Sequence, residues 1–176
     1  MGPTGNTGAV SRASLGVLML LLLGGCVSYS LTGTSIPTGV RTVYIPFFGD
    51  QSGGGVADLS DRLNRALIQR FVNQSRLSQT SDQQSADAWI EGQIVSYRVR
   101  AASIGGDQQA NLNEVIISVR AVFQYTTDDE PLYSKSFSGS GTYDVQESPV
   151  DGETAAAAQA LQQIANNMFN DAVSNW

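Results

Sequence analysis

Between Leu112 and Thr126 the chain reads LNEVIISVRAVFQYT, with an apolar residue at every second position. Val115, Ile117, Val119, Ala121, Phe123 and Tyr125 share one parity; Ser118, Arg120 and Gln124 take the other. Successive side chains of a strand point to opposite faces, so this pattern predicts a long strand with one buried face and one open face. Ala88 to Arg100 (AWIEGQIVSYRVR) is a second strand candidate, with Trp89, Val95, Tyr97 and Val99 on one parity. Leu132 to Tyr143 (LYSKSFSGSGTY) is a third, reached through the hairpin loop Thr127 to Pro131. Its serines and glycines point to a mobile or edge strand.

A buried sheet face needs a cover, and two helical stripes supply it. In Val56 to Gln74, Leu59, Leu63, Ala66, Leu67 and Phe71 recur at helical spacing. Asp61 and Arg65 lie four apart on its outer side. In Glu153 to Ser174 the stripe is Leu161, Ile164, Ala165, Met168 and Phe169, continued by Ala172 and Trp176. Arg41 to Phe48 (RTVYIPFF) reads as a further strand, with Pro46 at an edge or bulge because it lacks an N–H. Arg76 to Thr80 reads as a short one. The first strand must join the others across a helix, so the sheet is mixed. The expected fold is α+β: a two-layer sandwich of two helices on a mixed four-stranded sheet, in the order β-α-β-β-β-α, forming a single domain over residues 41–176.

Composition narrows the chemistry. The chain has no histidine, which excludes His-based triads, His-ligated metals and a His pH switch. One cysteine excludes an internal disulfide framework. A net charge of −6 argues against a nucleic-acid-binding surface. Gly53-Gly54-Gly55 lies between a strand and a helix but lacks GxGxxG and a following Lys-Ser/Thr, so it reads as a turn. Asp128, Asp129 and Glu130 read as a solvated loop rather than a metal site. Neither a catalytic site, a metal nor a cofactor is expected. Arg98 and Arg100 share a strand face, and with Arg120 they form a candidate cationic patch.

The N-terminus reads as an export signal. Leu15 to Leu23 is apolar for nine residues, too short to span a bilayer but suited to a signal-peptide core. Leu23-Gly24-Gly25-Cys26 follows and resembles the bacterial lipoprotein box, in which the cysteine is lipidated and becomes the mature N-terminus. Residues 1–25 are then the signal peptide and 26–40 the lipidated tether. Removing Arg12 with the signal takes the charge from −6 to −7. Val27 follows Cys26, and an aspartate there would favour inner-membrane retention.

Taken in order, several segments resemble the LPS-assembly lipoprotein LptE family in its Bacteroidetes-like form. They are residues 26–33 (CVSYSLTG), 42–48 (TVYIPFF), 59–71 (LSDRLNRALIQRF), 88–99, 113–123 (NEVIISVRAVF) and 168–176 (MFNDAVSNW). The resemblance implies a non-enzymatic outer-membrane lipoprotein whose domain faces the periplasm or a barrel lumen. It would act as plug and assembly partner of the LptD-like lipopolysaccharide-export β-barrel and touch lipopolysaccharide. The segment before the last helix carries Asp144, Glu147, Asp151 and Glu153 and no Lys or Arg. Arg98, Arg100, Arg120 and Lys135 are therefore the lipopolysaccharide candidates, and Asp129 and Ser138 the partner-contact candidates. The start of the domain also looks like the curli-secretion-channel lipoproteins, which form oligomeric pores. The strands lack the long lipid-facing alternation flanked by aromatics that such a pore needs.

Metabolic labelling with a fatty-acid analogue is expected to mark the wild-type chain and leave Cys26→Ser unmarked. Equal labelling of the two would refute lipidation at Cys26.

Overall fold

The computed structural model describes residues 1–2, 36–102, 112–146 and 149–174. Cys26, the tether up to residue 35, Glu147 and Trp176 lie outside the described residues. In chain order the described elements are β1 (Thr42–Tyr44), β2 (Gly49–Asp50), α1 (Leu59–Ile68) with a π turn (Gln69–Asn73), β3 (Ser78–Thr80), β4 (Ala88–Ala101), β5 (Leu112–Tyr125), β6 (Tyr133–Asp144) and α2 (Pro149–Ser174). All belong to the unit Thr34–Trp176, distinct from Met1–Gly33.

The sheet runs β3-β1-β4-β5-β6, with β2 also on β4. β4, β5 and β6 form an antiparallel meander, while β1 and β2 pair parallel with β4. The fold is thus the expected α+β sandwich on a mixed sheet, with six strands in place of four. The two extra strands are short. β3 confirms the segment before Thr80, and β2 arises because the first strand breaks in two.

Pro46 causes that break. Four residues lie between Tyr44 and Gly49 but three between their partners Trp89 and Gln93, so one residue bulges out. The carbonyls freed by the bulge are taken up by α1. Buried Asn64 donates its side-chain N–H to the Ile45 and Pro46 carbonyls, at 3.4 and 3.3 Å, and the Ser60 hydroxyl donates to the Phe48 carbonyl. The bulge also shifts the phase of the strand: Val43 and Ile45 are buried, and after it Phe48, 2% exposed, continues the core series while Phe47, 68% exposed, points to the far side.

A second bulge corrects the expected parity of β4. The register shifts between Ile94 and Ser96. Before it Ala88, Ile90 and Ile94 face the helices and are fully buried; after it Tyr97 and Val99 take over that side. Trp89 therefore lies on the opposite face from Tyr97 and Val99, because one unpaired residue inverts everything beyond it.

The core lies between the sheet and the helices. Leu59, Leu63, Leu67 and Phe71 meet Val43, Ile90 and Phe123, with the Phe71 ring 6.0 Å from that of Phe123. α2 buries Leu161, Ile164, Ala165, Met168 and Ala172 as the stripe predicts. Phe169 is only half-buried, packed edge-on against Phe71. The helix begins earlier than Glu153, and its first turns bury Ala156, Ala157 and Ala160 against β6. There a Cβ on Gly139 would run into the Ala160 carbonyl oxygen, and one on Gly141 into that of Ala156. Glycine is needed at both positions for close backbone approach. The Tyr125 and Tyr133 hydroxyls donate to the Ala172 and Met168 carbonyls, both at 3.2 Å, fixing the C-terminal half of α2 to the sheet.

Asp87 clips β1 to β4. Its carboxylate accepts from the Arg41 and Thr42 backbone N–H groups and the Thr42 hydroxyl, each at 2.9 Å. The bond from Arg41, then those from Thr42, hold its pKa below the ordinary carboxylate value.

Gly139→Ala and Gly141→Ala are each expected to lower stability by about 1–3 kcal/mol through overpacking, measured by chemical denaturation. Because the folded-state pKa of Asp87 is depressed, its contribution is present above the unfolded value of about 3.9 and is lost as pH falls through the folded value. Asp87→Asn is expected to be less stable at neutral pH and to lose less stability on acidification. Parallel pH–stability curves would show that the carboxylate charge contributes nothing.

Candidate functional site

With both helices on one side, the other face of the meander carries the side chains of opposite parity. On β6 these are Ser134, Ser136, Ser138, Ser140 and Thr142, which lie across from Val122, Arg120, Ser118, Ile116 and Glu114 of β5. The Ser118 and Ser138 hydroxyls are hydrogen-bonded at 2.8 Å. β4 adds Glu91, Gln93, Ser96, Arg98 and Arg100. The face is rich in hydroxyls and guanidinium groups.

Of the candidate cations, Arg98, Arg100 and Arg120 lie on this face, but they do not form one patch. Arg98 lies opposite Ile116, and Arg120 is four residues further along β5, roughly 13 Å at strand spacing. Arg100 is paired with Glu114 at 2.8 Å and, with a hydrogen bond from Ser140, holds the Glu114 carboxyl below its usual range. Arg98 and Arg120 are exposed and make no ion pair among the described residues. Lys135 is elsewhere: it lies opposite Ala121 on the helix side and pairs with Asp171 of α2 at 2.5 Å. Ser138 sits in the middle of the open face, and Asp129 is exposed in the β5–β6 loop.

The sequence reading missed one feature. Pro46, Phe47, Glu91, Gln93, Arg120 and Val122 line a hollow of about 430 Å³ on the open face. Its wall is the Phe47 ring expelled by the Pro46 bulge. The Gly92 backbone also lines it; on its other side, toward the helices, the Phe48 ring and the Arg120 carbonyl leave no room for a Cβ. The available signal was the pair of consecutive phenylalanines, since successive side chains of an extended chain point to opposite faces and one ring must face outward. The hollow combines an aromatic ring, a guanidinium group and amide and carboxylate acceptors, a composition suited to recognition. Among the described residues no three His, Cys, Asp or Glu side chains are placed to hold a metal, and no helix is long and apolar enough to cross a membrane.

Two helices on one face of a mixed sheet, with the opposite face open among the described residues, define an α+β sandwich class. A Xanthomonas campestris protein of known structure has a similar fold, at 16% identity over 74% of this chain and 82% of that one, with a TM-score of 0.51. Two further structures score lower. Lipoprotein B of Nitrosomonas europaea matches at 13% identity, 77% and 83% coverage and a TM-score of 0.49; the minor lipoprotein of Acinetobacter baumannii matches at 12%, 79% and 95%, and 0.48. No curated protein matches the chain in sequence. Residues 40–175 match the family described as LptE: Lipopolysaccharide-assembly, and the chain belongs to that family.

Proposed function

We propose that this LptE-family protein is a lipid-anchored outer-membrane lipoprotein. It acts without catalysis, as plug and assembly partner of an LptD-like lipopolysaccharide-export β-barrel. The observation that carries this reading is the open face of the meander. Among the described residues, one side of a long sheet carries no helix and is furnished with hydroxyls, arginines outside any ion pair and one projecting phenylalanine. Such a surface suits the inner wall of a barrel, which is polar and hydrated. Ser138 and the loop residue Asp129 are the proposed contact points, and Phe47 is the anchor, because aromatic and arginine side chains dominate binding energy at interfaces. Lipopolysaccharide is proposed to meet Arg98 and Arg120, the two cations of the face that make no ion pair among the described residues. Arg100 and Lys135, already held by Glu114 and Asp171, are secondary candidates.

Photo-crosslinkers at Asp129 and Ser138 are expected to capture one large β-barrel protein in intact cells. Capture of further copies of the same chain alone would favour the oligomeric curli-channel reading instead. Phe47→Ser is expected to change stability by less than about 0.5 kcal/mol, since the ring is exposed, and to weaken barrel capture on the order of tenfold. Unchanged capture by this variant would remove Phe47 from the interface.

A further inference from the structure

β4 is 14 residues long, yet its outer edge is paired over only the first half. β1 and β2 pair with it between Ala88 and Ile94, and Gln51 adds one N–H bond to the Ile94 carbonyl at 2.9 Å. The chain then leaves the edge and crosses over the Tyr97 ring, which a Cβ on Gly55 would strike. From Tyr97 to Ala101 no described strand lies along the outer edge of β4. One bond sets the phase of the backbone groups there. Ala102 donates its N–H to the Leu112 carbonyl at 2.8 Å, and bonded and non-bonded pairs alternate along an antiparallel ladder. Arg98 and Arg100, opposite Ile116 and Glu114, therefore direct their N–H and C=O groups at β5. Tyr97, Val99 and Ala101 turn theirs outward, with no backbone partner among the described residues.

The two faces beside this edge differ in chemistry. On the helix side the Tyr97 hydroxyl donates to Glu153 of α2 at 2.7 Å. Val99, two residues further on, is 41% exposed, and Val150 in the first turn of α2 is 76% exposed. Val56, Ala57, Val150 and Thr154 line a second hollow, of about 360 Å³, together with Gly55 and Glu153, the residues that touch Tyr97. On the open face Arg98 is exposed and makes no ion pair among the described residues.

We propose that the edge from Tyr97 to Ala101 takes an extended segment of another protein as an added antiparallel strand, one in which apolar and acidic residues alternate. In such strand addition the main chain supplies the affinity and the alternate side chains the choice of partner. Residues directly opposite one another in a ladder share a face. Those opposite Tyr97 and Val99 point to the helix side, beside the exposed valines, and call for apolar side chains. Those opposite Arg98 lie on the open face and call for a carboxylate. A second copy of this chain lacks that complementarity. Antiparallel pairing about Val99 sets Arg98 of each copy against Arg100 of the other, and like charges directly opposite are destabilising. The inference concerns a strand edge rather than a sheet face, and it does not rest on the barrel reading given above.

The test uses the full chain purified in detergent. Two short capped peptides, one alternating valine with glutamate and one alternating valine with lysine, are titrated by calorimetry. A form of the first methylated at every backbone nitrogen is titrated beside them. The glutamate peptide is expected to bind, the methylated form not to bind, and the lysine peptide to bind about fivefold more weakly or worse. In the complex, hydrogen exchange is expected to slow on the order of tenfold at the Tyr97, Val99 and Ala101 amides and to stay unchanged along β6. Val99→Pro removes an outward N–H that β5 does not use, so this variant is expected to fold and to lose the peptide. Arg98→Glu is expected to reverse the preference between the two peptides, a readout that stands even if the proline variant fails to fold. Absence of binding by the glutamate peptide, equal binding of its methylated form, or an unchanged preference in Arg98→Glu would overturn the inference. So would dimers of the chain in sedimentation that Val99→Pro dissociates, since the edge would then serve a second copy.

Discussion

Where α2 crosses β6, two backbones come together with no side chain between them. Gly139 and Gly141 give up their side chains, Ala156 and Ala160 present almost none, and the helix rests directly on the strand. Dispersion falls steeply with distance, so this seating sets how closely Leu161, Ile164 and Met168 reach the β5 side chains further along. The two tyrosine hydroxyls tie down the other end of the helix. With α2 held so close, and α1 beside it over β4, one side of the sheet is fully consumed. Among the described residues no helix covers the opposite side, the surface proposed to meet a partner.

Much of this was legible in the residues. The alternation of β5 predicts its buried and open faces residue by residue, and the burial pattern follows it. The serines and glycines of β6 mark the edge strand, and the glycines prove to be the seat of a helix. What escaped was phase. A sequence read with a constant period of two places Trp89 with Tyr97, and only pairing partners reveal the residue left out between Ile94 and Ser96. Pro46 announces a bulge without saying where the flanking rings go.

The cations show the same limit. Arg98 and Arg120 belong to one face by parity, yet register separates them. Lys135 falls on the helix side because β6 pairs Ala121 with it, and it ends as an ion pair with Asp171. Arg65 reads in isolation as half of an ordinary i,i+4 pair with Asp61 on a solvated helix face. That a second helix lies alongside, turning this outer face into the wall of a cleft, is a tertiary fact that no local window contains.

The broken N-terminal strand bears on the order of assembly. β4, β5 and β6 are consecutive, and a hairpin closes between β5 and β6 with a short loop, so these contacts form at small entropic cost. β1 and β2 have no neighbour of their own to pair with. Their ladder partners lie on β3 and β4, beyond α1, and their bulge carbonyls need Asn64 and Ser60 from that helix. Their bonds to β4 form only after the helix and the meander have met. Until β1 and β2 join it across α1, the edge of β4 stands open to any extended chain nearby.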